Sequence, residues 1–346
     1  MSKLLDDPRI DPRIKASPVG AIPEPPRLLD VASREELLDE ANSDAQKEMR
    51  DKRLTAYTEL FGEQAVPTAG LRGETLSFTS VPDGNTVRIN YLRPDTDETL
   101  PCVLHIHGGG MQSGSAFDPV TQAWCRTIAH QGVAVASVDF RNCLVASTSE
   151  AEVAPFPAGL NDCVSGLRWV IDNASALGID PARVIVAGES GGGNLTLATG
   201  LQLVRDGDTG LVRGLYAMCP FLVGVIPDER FPSTVENEGI IIAGQGNRPL
   251  MAYGIKEWEN RNPLAWPIFA TEDDVAGFPP TVITVNECDP LRDEGIAFYR
   301  LLLRAGRTAR CYQAMGTVHD TEIFTIACPD ISRDAAANIA RFAKED

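Results

Sequence analysis

Arg183-Val184-Ile185-Val186-Ala187-Gly188-Glu189-Ser190-Gly191-Gly192-Gly193-Asn194-Leu195 is the stretch whose reading decides the fold. Its first five residues form an apolar, β-branched run of strand type. From Asn194 to Val204, Leu195, Ala198, Leu201 and Leu203 recur near helical spacing. Between strand and helix stands Gly-x-Ser-x-Gly, so Ser190 is expected at a sharp strand-to-helix turn that presents its oxygen outward. The flanking glycines remove side chains that would collide in so tight a bend.

A second motif lies upstream, His107-Gly108-Gly109-Gly110. With 30 glycines among 346 residues, Gly-x-Ser-x-Gly arises by chance in roughly one such chain in eight, but His-Gly-Gly-Gly in roughly one in several hundred. The conjunction points to a serine hydrolase, with the tri-glycine loop where α/β-hydrolases carry their second oxyanion element.

Working outward, the chain alternates strand and helix. Cys102 to His107, Val133 to Asp139, Gly214 to Met218, Thr281 to Asn286 and Ala309 to Ala314 read as strands buried on both faces of a parallel sheet. Leu160, Val164, Leu167 and Ile171 mark a helix closed by Gly178. Thr75 to Val81 and Thr86 to Leu92 read as a hairpin across Pro82-Asp83-Gly84-Asn85. The expected fold is an α/β-hydrolase: a mostly parallel central sheet flanked by helices, with a helical cap.

Four segments follow from this pattern. Residues 1–62 are an N-terminal arm and cap helix. Residues 63–220 are the first part of the catalytic core, 221–262 a cap insertion, and 263–346 the second part of the core. In the arm, Asp7-Pro8-Arg9-Ile10 repeats as Asp11-Pro12-Arg13-Ile14, and the recurring prolines predict an extended segment. Ser33 and Glu36 then open a long helix ending near Gly62.

Chain order assigns the remaining chemistry. In this fold nucleophile, acid and histidine follow one another, each at the carboxyl end of a strand. Of four histidines, His105 and His107 precede the nucleophile and His130 lies in a helix, which leaves His319 as general base. For the acid, Glu287, Asp289, Asp293 and Glu294 follow the Thr281 to Asn286 strand. Asp289 is preferred, because Asp293 and Glu294 are expected to open the next helix as solvated first-turn acids.

Composition narrows the class. A formal charge of −17 disfavours binding to nucleic acids and anionic membranes. Eight cysteines are scattered without a Cys-x-x-Cys pair, suggesting neither a zinc site nor a disulfide framework but buried thiols in a reducing compartment. The start, Met1-Ser2-Lys3-Leu4-Leu5-Asp6-Asp7, turns acidic before an apolar region develops. A cytoplasmic enzyme is expected, acting on a small-molecule ester, with a homodimer left open and no cofactor or metal.

The residues resemble those of the hormone-sensitive-lipase-like (family IV) carboxylesterases, above all the branch of brefeldin A esterase. The likeness is carried by the Asp-Pro-Arg-Ile arm, His107 to Gly110, Val138-Asp139-Phe140-Arg141-Asn142, Gly188 to Leu195 and Asn286 to Phe298. It implies Ser190, Asp289 and His319 as triad, and the N–H groups of Gly109, Gly110 and Gly191 as oxyanion hole. Two departures stand out, Glu189 where aspartate is commoner and Asn142-Cys143-Leu144 after the Asp-x-Arg.

These parts imply ester hydrolysis through an acyl-enzyme: His319 takes the proton of Ser190, and Asp289 holds the imidazole. Gly108 and His107 support the glycine loop, His107 through hydrogen bonds. His105-x-His107 has ligand-like spacing but no third ligand, so His105 is read as a satisfied core residue. Met111, Phe221, Leu222, Ile241 and Ile242 are candidates for an apolar substrate pocket. A short-to-medium-chain carboxylesterase is expected. A lactone, carbamate or amide hydrolase with the same triad, and a receptor built on the fold, are the alternatives.

Overall fold

The computed structural model describes residues 2–147 and 152–345. Among the described residues eight strands form one sheet: β1 Leu71–Thr79, β2 Thr86–Pro94, β3 Leu100–Ile106, β4 Ala134–Asp139, β5 Ile179–Glu189, β6 Gly214–Met218, β7 Thr281–Cys288 and β8 Ala309–Val318. Their order is β1-β2-β4-β3-β5-β6-β7-β8, antiparallel from β1 through β2 to β4 and parallel from β4 onward. Each strand expected from the pattern is present.

Both faces of the sheet are covered, and the two-residue period of the central strands sorts their side chains between them. Cys102, Leu104 and Ile106 of β3 and Val184 and Val186 of β5 pack into one core cluster, with Leu167, Leu195, Leu201 and Phe298. Val103, Ile185 and Ala187 face the other way, onto Trp124, Ile128, Ile339 and Phe342. The helices Ala158–Asp172, Gly191–Asp206 and Arg292–Arg304 supply the first cluster, and Pro119–Ala129 with Pro329–Lys344 the second. The sheet is thereby buried on both faces, and the carboxyl ends of the parallel strands β3, β5, β7 and β8 lie along one edge.

The N-terminal segment departs from expectation. Residues 2–22 are not simply extended: Lys3–Asp6 and Pro12–Ala16 are short helices. Proline is tolerated here because Pro12 sits at the first helical position, behind an Asp11 cap that accepts from Arg13 N–H. The repeat uses one local device twice. Asp7 accepts from Arg9 N–H at 2.9 Å and Asp11 from Arg13 N–H at 2.8 Å, and each carboxylate is also gripped by the same arginine's guanidinium. The isoleucines that close each repeat, Ile10 and Ile14, bury with Leu4 and Val19 against Ile240, Cys288, Val318 and Cys328. The arm therefore lies behind the ends of β7 and β8.

The helix opened by Ser33 is likewise two, Arg34–Asn42 and Asp44–Leu60, split at Ser43, whose hydroxyl caps the second by accepting from Gln46 N–H. Between β6 and β7 the chain forms the short helices Ser233–Glu236, Arg248–Tyr253 and Ile255–Glu259. The arm ties to this stretch through Leu28 N–H to Gly244 O at 2.9 Å, Asn247 Nδ2–H to Val31 O at 2.9 Å, and an Arg248–Glu40 ion pair.

Candidate active site

Ser190 stands between β5 and the helix Gly191–Asp206 with φ 54 and ψ −116. This positive φ is rare for a residue with a side chain, and packing on both sides sustains it. Its N–H is held by Met218 O at 3.0 Å, and its own carbonyl accepts from Phe221 N–H at 3.0 Å. The turn aims the hydroxyl at the loop after β8. There His319 Nε2 lies 3.0 Å from Ser190 Oγ, and His319 Nδ1 lies 2.8 Å from Asp289 Oδ2. An ionised carboxylate only accepts, so Nδ1 carries the proton that faces Asp289, and Nε2 is turned toward the serine hydroxyl.

Asp289 is fully buried and braced on its other side, where Oδ1 accepts from Leu291 N–H at 2.8 Å. Asn237 Nδ2 donates to the carbonyls of Glu287 and Asp289, both at 3.1 Å, tying the loop to the chain between β6 and β7. Glu287 is engaged elsewhere, accepting Gly316 N–H at 2.7 Å. Glu294 corrects the expectation of a solvated first-turn acid. It is fully buried and accepts the N–H groups of Leu222 at 3.0 Å and Val223 at 2.8 Å, while Asp293 accepts Ser233 N–H at 2.8 Å. Burial disfavours its charge and holds the Glu294 carboxyl well above the usual range.

The tri-glycine loop meets the nucleophile turn backbone to backbone. A Cβ on Gly191 would fall 2.6 Å from the N atoms of both Gly110 and Met111. Gly109 has φ 107, and a Cβ there would strike Ser113 O at 2.1 Å. Among the described residues the N–H groups of Gly109 and Gly110 make no hydrogen bond within the protein. Together with the first N–H of the following helix, they give a cluster of donors beside Ser190. Glu189 locks the two loops together, accepting Gly108 N–H at 2.8 Å while its other oxygen lies 2.9 Å from His105 Nε2. Burial works against this carboxylate, yet the His105 pairing holds its pKa below the ordinary value. His105 is thus a paired core residue, with Ser137 Oγ 2.9 Å from its Nδ1. His107 stacks on Phe140 with ring centroids 4.2 Å apart and places Nδ1 2.8 Å from Gly108 O.

Two residues at the site carry no motif. Cys219, after β6, directs its thiol at Asp320 Oδ1, 2.9 Å away, and Asp320 Oδ2 lies 3.3 Å from His319 Nε2. Ligand atoms of Cys219, Asp289 and His319 come within 4.8 Å of one another, the one group of this kind among the described residues. Two of the three are committed to each other by the His319–Asp289 hydrogen bond. Burial pulls the His319 pKa down, but the carboxylates of Asp289 and Asp320 outweigh it and raise it to about 9.

A cavity of about 450 Å³ opens beside these groups. Gly108, Gly109 and Asp320 line it, as do the apolar side chains of Leu54, Tyr57 and Phe324. The apolar residues expected at a pocket lie elsewhere. Met111, Phe221 and Leu222 are packed in the main core, Phe221 edge-on to Trp266 with ring centroids 5.9 Å apart. Ile241 joins the cluster that buries the arm, and Ile242 packs against the main core. Hydrophobicity alone had marked them, and buried core and pocket wall share that signal.

The fold, with Ser190 at the sharp turn after β5, defines a class, the α/β-hydrolases. A sequence profile of the alpha/beta hydrolase fold matches residues 103–323. Carboxylesterase NlhH of Mycobacterium tuberculosis is 31% identical over 80% of this chain and 83% of its own length. The solved structure of esterase Est22 is 55% identical, covering 99% of this chain and 100% of its own, with a TM-score of 0.94. Brefeldin A esterase, described as a bacterial homologue of human hormone-sensitive lipase, is 32% identical over 98% of this chain and 94% of its own, with a TM-score of 0.80. The chain belongs to the hormone-sensitive-lipase-like family of carboxylic ester hydrolases on the α/β-hydrolase fold. Among the described residues no helix is long and apolar enough to cross a membrane.

Proposed function

We propose that the protein is a serine carboxylesterase that hydrolyses short-to-medium-chain esters through an acyl-enzyme, with Ser190 as nucleophile, His319 as general base and Asp289 as its orienting acid. The observation that carries this reading is the unbroken relay from Ser190 Oγ to His319 Nε2 at 3.0 Å and from Nδ1 to Asp289 at 2.8 Å, set beside unengaged backbone donors. As Oγ attacks the ester carbonyl, its proton passes to Nε2. The oxyanion that forms is met by the N–H groups of Gly109, Gly110 and Gly191. The imidazolium then protonates the departing alcohol, and water repeats the sequence on the acyl-enzyme.

Segment 221–262, with the helices of the first 62 residues, acts as the cap, and the cavity lined by Leu54, Tyr57 and Phe324 takes the substrate. Its volume suits a small ester rather than an emulsified fat. Est22 has been solved with p-nitrophenol, the alcohol that p-nitrophenyl esters release. The test is a rate panel over p-nitrophenyl esters of increasing acyl length, aryl amides and macrocyclic lactones, beside a Ser190→Ala control. Fastest turnover on short and medium esters, abolished in the control, is expected. Lactone or amide turnover exceeding that of the esters would move the activity to another leaving group on the same triad.

A further inference from the structure

The loop that carries His319 presents a second carboxylate, which the relay to Asp289 does not use. Asp320 follows the imidazole directly and has φ 60, a left-handed conformation that aspartate and asparagine adopt more readily than most residues. Its side chain is 14% exposed, and the residue lines the cavity. Nε2 of His319 therefore faces two oxygens, Ser190 Oγ at 3.0 Å and Asp320 Oδ2 at 3.3 Å. With the imidazole proton on Nδ1, Nε2 is a bare lone pair. That suits the serine O–H but opposes an ionised Asp320, lone pair against lone pair. One proton held between Nε2 and Asp320 Oδ2 removes the conflict, and the Cys219 thiol donating to Oδ1 at 2.9 Å supports the negative charge on the carboxylate.

We propose that Asp320 is a positioning residue for the base: it holds a proton on Nε2 of His319 in the resting enzyme, and Ser190 becomes a nucleophile only after that proton passes to solvent. The proposal rests on the roles given to Ser190 and His319 above. In the resting state Nε2–H is shared between Asp320 and Ser190. Loss of the proton to water frees the Nε2 lone pair, which then takes the serine proton as Oγ bonds to the carbonyl carbon. During that step the re-formed imidazolium again has Asp320 as acceptor until the leaving alcohol takes the proton, so no charge is left unbalanced.

The other charged groups nearby leave this role to Asp320. Asp289 acts on Nδ1, and Glu322, farther along the same loop, lies 3.2 Å from Asn286 Nδ2. On the nucleophile turn, Glu189 is engaged with His105 and Gly108. Across the cavity stand Asp118 at the start of Pro119–Ala129, and Arg50, Asp51 and Arg53 of Asp44–Leu60. Among the described residues only Ser190 and Asp320 bring a side-chain oxygen within 3.3 Å of Nε2.

The deciding experiment follows phosphorylation of Ser190 by diethyl p-nitrophenyl phosphate across about pH 5 to about pH 10, a range spanning the histidine titration. It compares the unaltered enzyme with Asp320→Asn, which keeps the shape, and Asp320→Gly, which keeps the backbone conformation. Mass spectrometry locates the phosphoryl group. Removing a facing carboxylate should lower the midpoint of the rate profile by about one pH unit or more in both variants. At about pH 6 they should then label faster than the unaltered enzyme. A midpoint unchanged in both, whatever the plateau, overturns the inference and leaves the triad standing. Absence of label on Ser190 in the unaltered enzyme overturns the triad assignment and this inference with it.

Discussion

The two halves of the site are built from different materials. On the side of Ser190, backbone does the work: a strained turn at Ser190, a glycine loop with φ 107 at Gly109, and a Gly191 with no room for a side chain beside the N atoms of Gly110 and Met111. On the base side, side-chain charge does it: Asp289 and Asp320 against one imidazole, with Glu322 close by. Backbone geometry has no pKa. The first half should therefore be indifferent to pH and intolerant of a single added methyl group, and the second should tolerate small changes of shape but follow pH closely.

The largest expected effect breaks the nucleophile itself. Ser190→Ala should lower kcat about a millionfold, by analogy with the subtilisin triad, with the melting temperature almost unchanged. Asp289→Asn comes next, at about ten-thousandfold by analogy with a serine protease, because the amide no longer fixes the Nδ1 proton. Glu287→Gln, whose carboxylate only braces Gly316 N–H, should cost far less. If the Glu287 variant were the more damaged, the acid would have been misassigned.

Gly109→Ala tests the backbone half. Displacing one oxyanion donor should cost roughly 3 kcal/mol in the transition state, about a hundredfold or somewhat more in kcat. The sharper prediction is that its pH midpoint stays where the unaltered enzyme has it. A shifted midpoint would show that the halves are not separable.

Cavity shape should matter less than either half. Leu54→Ala or Tyr57→Ala should flatten the dependence of kcat/KM on acyl length, each lost buried methylene being worth about 0.8 kcal/mol, roughly fourfold in rate. Parallel acyl-length profiles in variant and parent would remove Asp44–Leu60 from substrate selection.

The smallest effect is on stability, and it runs opposite to activity. The His319 pKa is raised from 6.5 to about 9, so its charged form is favoured by folding. The stabilisation is complete below about pH 6.5 and is lost as pH rises through about 9. Glu322, where burial raises the carboxyl to about 7, changes stability in the same sense. Over that window kcat/KM should climb while the melting temperature falls modestly. Both rising together would contradict the charge placement.

This division also explains what the sequence disclosed. Turns that require glycine, and strands buried on both faces, leave patterns that are read directly, so the strands were legible, as were the three residues the structure brings into contact, Ser190, His319 and Asp289. Asp320 and Cys219 were not, because a carboxylate becomes part of the site only through a φ of 60 and contacts to a distant loop. Glu294 looked like an ordinary first-turn acid until the loop after β6 was seen folded onto it. The arm departs from the extended conformation its prolines suggest for a local reason. Proline every fourth residue forbids a helix interior but suits a helix start, and nothing in the repeat distinguishes the two until Asp11 is seen capping Pro12–Ala16.

The most direct test of the central claim is to mix the enzyme with p-nitrophenyl acetate, quench in acid before the steady state, and map the acyl group by mass spectrometry. The account predicts an acetyl group on the peptide bearing Ser190, formed at a rate that rises with pH and reduced strongly by Asp289→Asn. Sustained turnover with no acetyl on Ser190, or acetyl on another residue that Ser190→Ala leaves in place, would contradict it.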